Sequence, residues 1–293
     1  MNGASLLAWL PGRTPWPHRW LEVRKAWTLS RGAPWVRVAV VDTGIDDAHP
    51  DLRGKVVGGC DVVAAGGRHL DDLGHGTAVA GLIASRGWRS PETAGVAPLV
   101  SLLAIKVNHH GTGHVRAEHI AAGIRAALRE GASVINLSVG VVAGEEFLTA
   151  ASVADLGRAV REALAAGVPV VCAAGPSRGA TVWPGAWAHD PAFAGLITVG
   201  AADRWGRVAP VSQGSPRHLL LAPAEGVVSL STDARVAPFG GTSAAAPFVT
   251  GIVSLLRTLH PHAEPARIRS WVLAGARNGM ASASGALTEA GNA

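Results

Sequence analysis

One serine stands in the sequence where a fold commonly presents a nucleophile. Ser243 follows Gly240, Gly241 and Thr242 and precedes an alanine-rich apolar run. Glycine reaches backbone angles that are closed to other residues, and a threonine can cap the helix that the alanines begin. The N–H groups and the positive dipole at a helix start suit an oxyanion that forms beside the serine oxygen. The pattern is therefore typical of acyl transfer, and also of an ordinary helix cap.

Two further residues could act with this serine. Asp42 ends a β-branched run, residues 35–42, that predicts a buried strand, and His75 begins an apolar run, residues 75–84, that predicts a helix. Each has a structural alternative, since Asp42 could cap a turn and His75 could hydrogen-bond locally. Together with Ser243 they supply an orienting carboxylate, a general base and a nucleophile. We therefore predict a site for nucleophilic catalysis, which requires the fold to bring the three together.

Strands and helices alternate along the chain. Further strands are predicted over residues 99–107, 132–137, 168–173, 196–201, 219–222 and 227–230, and helices over residues 115–130 and 153–166. This alternation predicts an α/β fold of three layers, with a mostly parallel central sheet flanked by helices. Ligands of such sheets bind at the carboxyl ends of the strands, which is where Asp42 stands. The stretch that contains Gly58, Gly59, Gly66 and Gly67 is predicted to be a loop.

We predict that residues 21–280 form one domain. Residues 1–20 hold three prolines and three tryptophans and predict an irregular arm, followed by a short helix over residues 21–30. A last helix is predicted from Pro265 to Ala274, because proline is favoured at the first helical position. Residues 281–293 are rich in alanine, serine and glycine and predict a flexible tail.

The composition favours a large core over binding to nucleic acid or to a membrane. Of 293 residues, 48% are hydrophobic and 16% are charged, and the formal net charge of +5 comes from scattered basic residues. No apolar run approaches the roughly 18 residues of a membrane span, and residues 5–10 are too short for a signal peptide. The chain as written predicts a cytoplasmic protein, or a secreted one if a signal or pro-segment has been removed. Cys60 and Cys172 lack metal-ligand spacing and are expected to be isolated thiols.

Five motifs carry a resemblance to a known family. They are VAVVDTGIDDAHPDL around Asp42, GHGTAVAG around His75, INLSVG at residues 135–140, VVCAAG at residues 170–175 and GTSAAAP around Ser243. In this order they resemble the subtilisin-like serine proteases, the subtilases, over about residues 20–260. The resemblance implies the subtilisin-like fold and a serine endopeptidase that acts on peptides or proteins and requires no cofactor.

The same resemblance implies a role for each site residue. Asp42 would hold His75 in the correct tautomer, His75 would take the proton of Ser243, and the serine oxygen would attack a peptide carbonyl. It also implies two walls of a substrate pocket, whose backbones would pair with an extended peptide. The residues of these walls are Ser138, Val139 and Gly140 and, opposite them, Ala173, Ala174 and Gly175. Beyond the first wall, Glu145 and Glu146 either favour a basic substrate side chain or are solvated loop charges.

Pro176 departs from the pattern of the family. Subtilases have an asparagine there, whose side chain donates to the oxyanion, and proline donates nothing from side chain or backbone. In subtilisin, loss of this donor lowers turnover about 10²–10³-fold. The hydroxyl of Ser177 could substitute for it. Two hypotheses stay open: a specialised processing protease with a weakened oxyanion hole, and a pseudoprotease that binds peptides without efficient cleavage.

Two stretches of the sequence could hold a metal ion. Many subtilases bind structural calcium through an aspartate that matches Asp51 and an asparagine-rich loop, but residues 85–93 hold two arginines and no asparagine. The chemistry of this loop therefore disfavours calcium at Asp51. A second stretch, which could supply imidazoles to zinc, aligns with a surface loop and offers no cysteine or close carboxylate. Its histidines are His109, His110, His114 and His119.

Overall fold

The computed structural model describes residues 14–64, 66–88, 90–175, 181–213 and 218–292. Within these residues a seven-stranded sheet forms the centre of the fold, in the order β2-β3-β1-β4-β6-β8-β9, and all neighbouring strands are parallel. Two antiparallel ribbons, β5 with β7 and β10 with β11, lie outside it. The strands are β1 (Arg37–Asp42), β2 (Val56–Asp61), β3 (Ser101–Lys106), β4 (Val134–Leu137), β5 (Val141–Val142), β6 (Val170–Ala173), β7 (Val182–Trp183), β8 (Leu196–Ala202), β9 (Leu220–Pro223), β10 (Val227–Ser231) and β11 (Arg235–Phe239).

Helices cover both faces of this sheet. They are α1 (Trp16–Trp20), α2 (Val23–Ala26), α3 (His75–Ala84), α4 (Ala117–Arg129), α5 (Ala150–Ala165), α6 (Thr242–Leu259), α7 (Pro265–Ala274) and α8 (Ala283–Gly291). Successive strand residues point to opposite faces. In β1, Val38 and Val40 therefore pack in the core with α3 and α6, while Ala39 and Val41 pack in a second core with α4 and α5. The predicted three-layer α/β fold with a mostly parallel sheet is confirmed.

Helix α6 is the central helix of the fold. It packs against β4, β6, β8 and β9 and carries Ser243 as its second residue. Among the described helices it alone is long and apolar enough to cross a membrane by composition, with a mean hydropathy of 1.2, and 83% of it is buried inside the domain. Its apolar character is therefore accounted for by core packing.

The prediction of a flexible tail after residue 280 is wrong. Residues 283–291 form α8, in which Ser282 caps the helix by accepting from the N–H of Gly285 at 3.0 Å. Leu287 is buried in the same core as α6. A Cβ at Gly285 would lie 2.1 Å from the carbonyl oxygen of Gly275, so the small residues that suggested disorder allow two backbones to approach closely.

The prediction of an irregular arm over residues 1–20 is also wrong in part. Residues 1–13 lie outside the described part of the chain, but Trp16–Trp20 form a short helix. Trp16 Nε1 donates to the carbonyl of Gly226 at 3.0 Å, which attaches this helix to the body of the domain. The helix that follows is Val23–Ala26, shorter than the predicted residues 21–30.

One strand was predicted to be a loop because of its glycines. Strand β2 lies at the edge of the sheet and pairs with β3. Gly59 has a φ of +145°, and a Cβ there would lie 2.1 Å from the carbonyl oxygen of Ala104, so only glycine fits this close approach. Cys60 in β2 and Cys172 in β6 are both free thiols, as predicted, and burial raises the pKa of Cys172 to about 12.

Candidate active site

The structure brings Asp42 and His75 together at one edge of the sheet. Asp42 is the last residue of β1 and is fully buried, and His75 is the first residue of α3. The imidazole Nδ1 lies 2.7 Å from Asp42 Oδ1. Burial by itself lowers the pKa of His75, but the charge and hydrogen bond of Asp42, with a further contribution from Asp71, raise it above its ordinary value. The ring of His75 therefore binds a proton more tightly than the ring of a free histidine does.

Asp71 fixes the turn that precedes His75, and sequence reasoning missed it. Its Oδ1 accepts from Thr43 Oγ1 at 2.8 Å and from the N–H of Gly74 at 2.9 Å. Its Oδ2 accepts from the N–H of Thr77 at 2.8 Å, within the first turn of α3. One carboxylate thus joins the residue after β1 to the start of the helix that carries His75. Asp71 lies three residues before Gly74, the N-cap of α3, so no standard capping pattern indicated it.

Ser243 lies at the start of α6, as the sequence predicts. The turn before it contains Gly241 with a φ of +75°, a conformation that favours glycine. The serine hydroxyl donates to the carbonyl of Ser138 at 3.0 Å, and within the described residues no hydrogen bond joins it to His75. Ser243 therefore lies next to the first predicted wall, and among the described residues its hydroxyl is not paired with the predicted base.

Pro247 explains the second bond between the serine and this wall. In a regular helix, the N–H of residue 247 would donate to the carbonyl of residue 243, and proline has no N–H. The carbonyl of Ser243 instead accepts from Ser138 Oγ at 3.1 Å. The two serines therefore exchange a reciprocal pair of hydrogen bonds between the wall and the helix.

Asn136 and Thr250 support this pair from inside the core, and sequence reasoning missed both. Asn136 is fully buried in β4, and its Nδ2 donates to Ser138 Oγ at 3.0 Å. Its Oδ1 accepts from Thr250 Oγ1 at 2.7 Å, two turns further along α6. A lone amide in the apolar strand that precedes Ser138 was the available signal, because a buried polar group needs partners.

Both predicted walls follow neighbouring strands of the sheet. Ser138, Val139 and Gly140 come directly after β4, while Ala173 ends β6 and is followed by Ala174 and Gly175. Because β4 and β6 pair in parallel, the two walls leave the sheet at the same edge. Pro176 and Ser177 lie outside the described residues, so the weakened oxyanion hole stays a prediction. Glu145 and Glu146 are exposed in the turn after β5, and their role also stays a prediction.

The surroundings of Asp51 do not fit a calcium site. Asp51 is fully buried, and its Oδ1 accepts from the N–H of Trp88 at 2.6 Å. The guanidinium of Arg86 lies close enough for its charge to interact with this carboxylate. Calcium takes six to eight oxygen ligands, and among the described residues no group of three acidic, histidine or cysteine side chains could hold a metal.

The histidine-rich stretch forms a surface loop. Residues 109–114 are exposed, and the rings of His109 and His119 pack edge to face at 5.1 Å. His110 Nδ1 lies 2.9 Å from Asp72 Oδ2, and the same carboxylate accepts from the N–H of Gly111. Zinc binding by this stretch therefore gains no support from the residues described.

Comparisons with known proteins agree with this architecture. A family model described as "Subtilase family" matches residues 35–292. A thermophilic serine proteinase of Bacillus sp. (strain AK1) is 36% identical over 233 residues, which are 79% of this chain and 54% of that protein. The chain thus spans about half the length of this relative. The major intracellular serine protease of Bacillus subtilis (strain 168) is 33% identical over 242 residues, 81% of this chain and 73% of that protein.

A solved structure extends the agreement to the fold. The protease MycP1 with its N-terminal propeptide removed superposes with a TM-score of 0.78 at 27% identity, covering 94% of this chain and 98% of that one. The family match covers most of the chain and includes every residue of the predicted site. The chain therefore belongs to the subtilase family of subtilisin-like serine proteases.

Proposed function

We propose that the protein is a serine endopeptidase that cleaves peptide bonds through an acyl-enzyme on Ser243. The observation that carries the proposal is the 2.7 Å hydrogen bond between Asp42 and His75. The ring of His75 packs edge to face at 5.2 Å on Phe239, four residues before Ser243. In serine proteases such a carboxylate fixes the tautomer of the histidine and stabilises the imidazolium that forms in the reaction. The raised pKa of His75 agrees with this role.

The reaction follows from where the protons lie. With Nδ1–H donated to Asp42, the Nε2 of His75 is free to accept the proton of Ser243 as the serine oxygen attacks the peptide carbonyl. The C–N bond then breaks, and the imidazolium returns the proton to the leaving amine. Water attacks the ester with the same histidine as base, which frees the acid product and restores the serine.

Substrate binding is expected to release the serine hydroxyl. In the free protein the hydroxyl of Ser243 donates to the carbonyl of Ser138. A peptide N–H that pairs with this wall as an added strand would compete for the same carbonyl. The hydroxyl could then turn towards His75, in keeping with the general observation that catalytic hydrogen bonds tighten in the complex with substrate.

Pro176 is the reason to propose a specialised processing protease with a weakened oxyanion hole. The backbone N–H of Ser243, at the N-terminus of α6, supplies one oxyanion donor, and Pro176 supplies none where the family has an asparagine. A slow enzyme suits restricted processing of particular precursor peptides or proteins. The pseudoprotease alternative depends on Pro176 alone, and the curated relatives described above are named as proteases. Their names do not fix the compartment, and a cytoplasmic location stays a prediction.

Hydrolysis of a peptide library tests the proposed function. We expect turnover by the wild type, no turnover by Ser243→Ala or His75→Ala, and unchanged folding of both variants by circular dichroism. Pro176→Asn, which restores an amide donor, is expected to raise turnover about 10²-fold. Absence of hydrolysis by both the wild type and Pro176→Asn, with the fold intact, would contradict the proposal.

A further inference from the structure

We propose that Val182 closes the bottom of the pocket between the two walls, so that the enzyme accepts only a small side chain, such as that of glycine, alanine or serine, immediately before the cleaved bond. The inference rests on the proposed function and names its substrate class. It concerns a residue that neither the sequence motifs nor the triad geometry involves.

A two-stranded ribbon joins Val182 to the first wall. Val182 begins β7, which pairs antiparallel with β5, and the cross-strand partners are Val142 with Val182 and Val141 with Trp183. Because β5 starts at the residue after Gly140, the ribbon continues from this wall into the body of the domain. The ribbon therefore holds Val182 at a fixed distance from the wall.

The valine side chain touches both walls at their glycines. A Cβ added at Gly175 would lie 2.7 Å from Val182 Cγ1, 2.9 Å from its Cβ and 3.0 Å from its Cγ2. A Cβ added at Gly140 would lie 3.1 Å from the same Cγ1. The isopropyl group thus occupies the space between the walls, and both walls need glycine at the point where they meet it.

Val182 is buried outside the hydrophobic clusters that α3–α6 form with the sheet. It is 4% exposed, yet it is a member of none of the three hydrophobic clusters formed by the described residues. Its neighbour Trp183 packs against the second core and, with Trp187, lines a cavity of about 590 Å³ on the other side of the ribbon. Side chains alternate along a strand, so this arrangement directs Val182 towards the walls.

Size then decides which peptides fit. A side chain that enters between Gly140 and Gly175 meets the methyl groups of Val182, where a methyl or hydroxymethyl group can fit and a benzyl or long basic group cannot. One methylene in such a pocket changes the specificity constant by about 10–200-fold. The same obstruction predicts poor cleavage after lysine or arginine, despite the exposed carboxylates of Glu145 and Glu146.

Covalent probes of matched structure test this pocket without requiring turnover. We would compare two peptidyl phosphonate diphenyl esters that differ only in having an alanine-like or a phenylalanine-like side chain. The ratio of their labelling rates measures the size of side chain that the pocket accepts. In each reaction the Ser243 oxygen bonds to phosphorus, phenoxide leaves, and the serine proton passes to His75. An alkyl fluorophosphonate, which carries no such side chain and loses fluoride, measures the reactivity of the serine alone. Labelling by this probe therefore tests the proposed function independently of the size of the pocket.

We expect the alanine-like ester to label the wild type at least about tenfold faster than the phenylalanine-like ester. Val182→Gly is expected to raise the rate of the larger ester about tenfold or more and to leave the smaller one within about threefold. Val182→Ala should label with the larger ester at a rate between those of the wild type and Val182→Gly. Alanine disturbs the strand less than glycine does, so this variant serves if Val182→Gly fails to fold. Val141→Ala, which truncates a buried valine on the opposite face of the same ribbon, should leave the ratio unchanged.

Two results would overturn the inference while the fluorophosphonate still labels Ser243. One is equal labelling of the wild type by both esters. The other is a Val182→Ala variant that retains the wild-type ratio. Failure of the fluorophosphonate to label the folded wild type would instead contradict the proposed function.

Discussion

The two helix starts that carry the site are held in different ways. At the start of α3, charged groups hold His75, since Asp42 bonds the ring and Asp71 bonds the turn before it. At the start of α6, neutral groups hold Ser243, through Ser138 and the buried amide of Asn136. The proposed base is therefore sensitive to pH and to nearby charge, while the position of the proposed nucleophile depends on packing and hydrogen-bond geometry.

The largest expected effect comes from removing the charge of Asp42 at the start of α3. Asp42→Asn keeps the size of the side chain but removes the carboxylate that fixes the histidine tautomer. We expect turnover to fall about 10⁴-fold, the loss observed for this change in another serine protease. Initial rates on a peptide substrate measure it.

Asp233→Asn is the matched control for this loss. Asp233 is 73% exposed and pairs only at the surface with Arg235, so its change should leave turnover within about twofold. Equal losses in Asp42→Asn and Asp233→Asn would contradict the role given to the buried carboxylate.

A smaller effect is expected from changing the neutral groups that hold the start of α6. Thr250→Val removes the hydroxyl that donates to Asn136 Oδ1 and leaves a buried acceptor without its partner. We expect the free energy of unfolding to fall by about 1–2 kcal/mol and kcat to fall roughly tenfold, with KM little changed. Chemical denaturation and steady-state kinetics measure the two quantities.

Thr258→Val in the same helix separates positioning from general destabilisation. Among the described residues, its hydroxyl donates only to the carbonyl of Ser254, one turn back in α6. We expect Thr258→Val to lower the free energy of unfolding by less than about 0.5 kcal/mol and to leave kcat unchanged. If Thr250→Val loses stability but keeps full kcat, Asn136 and Thr250 support the fold and do not position the serine.

The smallest expected effect is a displacement of the pH profile. Because the pKa of His75 is raised, kcat/KM should fall on acidification at a pH above the ordinary histidine value of about 6.5. Asp71→Asn removes one of the charges that raise this pKa, so the acidic limb should move to lower pH. Thr250→Val should leave the limb in place, since it changes no charge. A limb unmoved by Asp71→Asn would contradict the electrostatic role of Asp71.

Stability should follow the opposite trend with pH. The folded-state pKa of His75 lies above its unfolded value, so the stabilisation from its pairing with Asp42 is fully present below the unfolded pKa. It is lost as the pH rises through the folded pKa. Activity therefore increases over the same pH window in which this contribution to stability declines.

The sequence was sufficient for features that depend on local pattern. β-branched runs predicted the strands that end near Asp42 and Ser138, and the motifs located both helix starts. Strand β2 and helix α8 were missed, because glycine and alanine there serve close packing between distant segments, which no local pattern reveals.

The missed site residues act through long-range contacts. Asn136 and Thr250 are 114 residues apart, and the wall glycines meet Val182 only after β5 and β7 have paired. Asp71 acts through Thr43, 28 residues earlier in the chain. Such partners become visible only when the tertiary structure brings the segments together.

The covalent reactivity of Ser243 tests the central claim most directly. The purified protein would be treated with an alkyl fluorophosphonate, digested and analysed by mass spectrometry, with Ser243→Ala and Asp42→Asn treated in parallel. The account predicts one adduct, on the peptide that contains Ser243, absent from Ser243→Ala and formed far more slowly in Asp42→Asn. A folded wild-type protein without this adduct, or with the adduct on another serine, would contradict it.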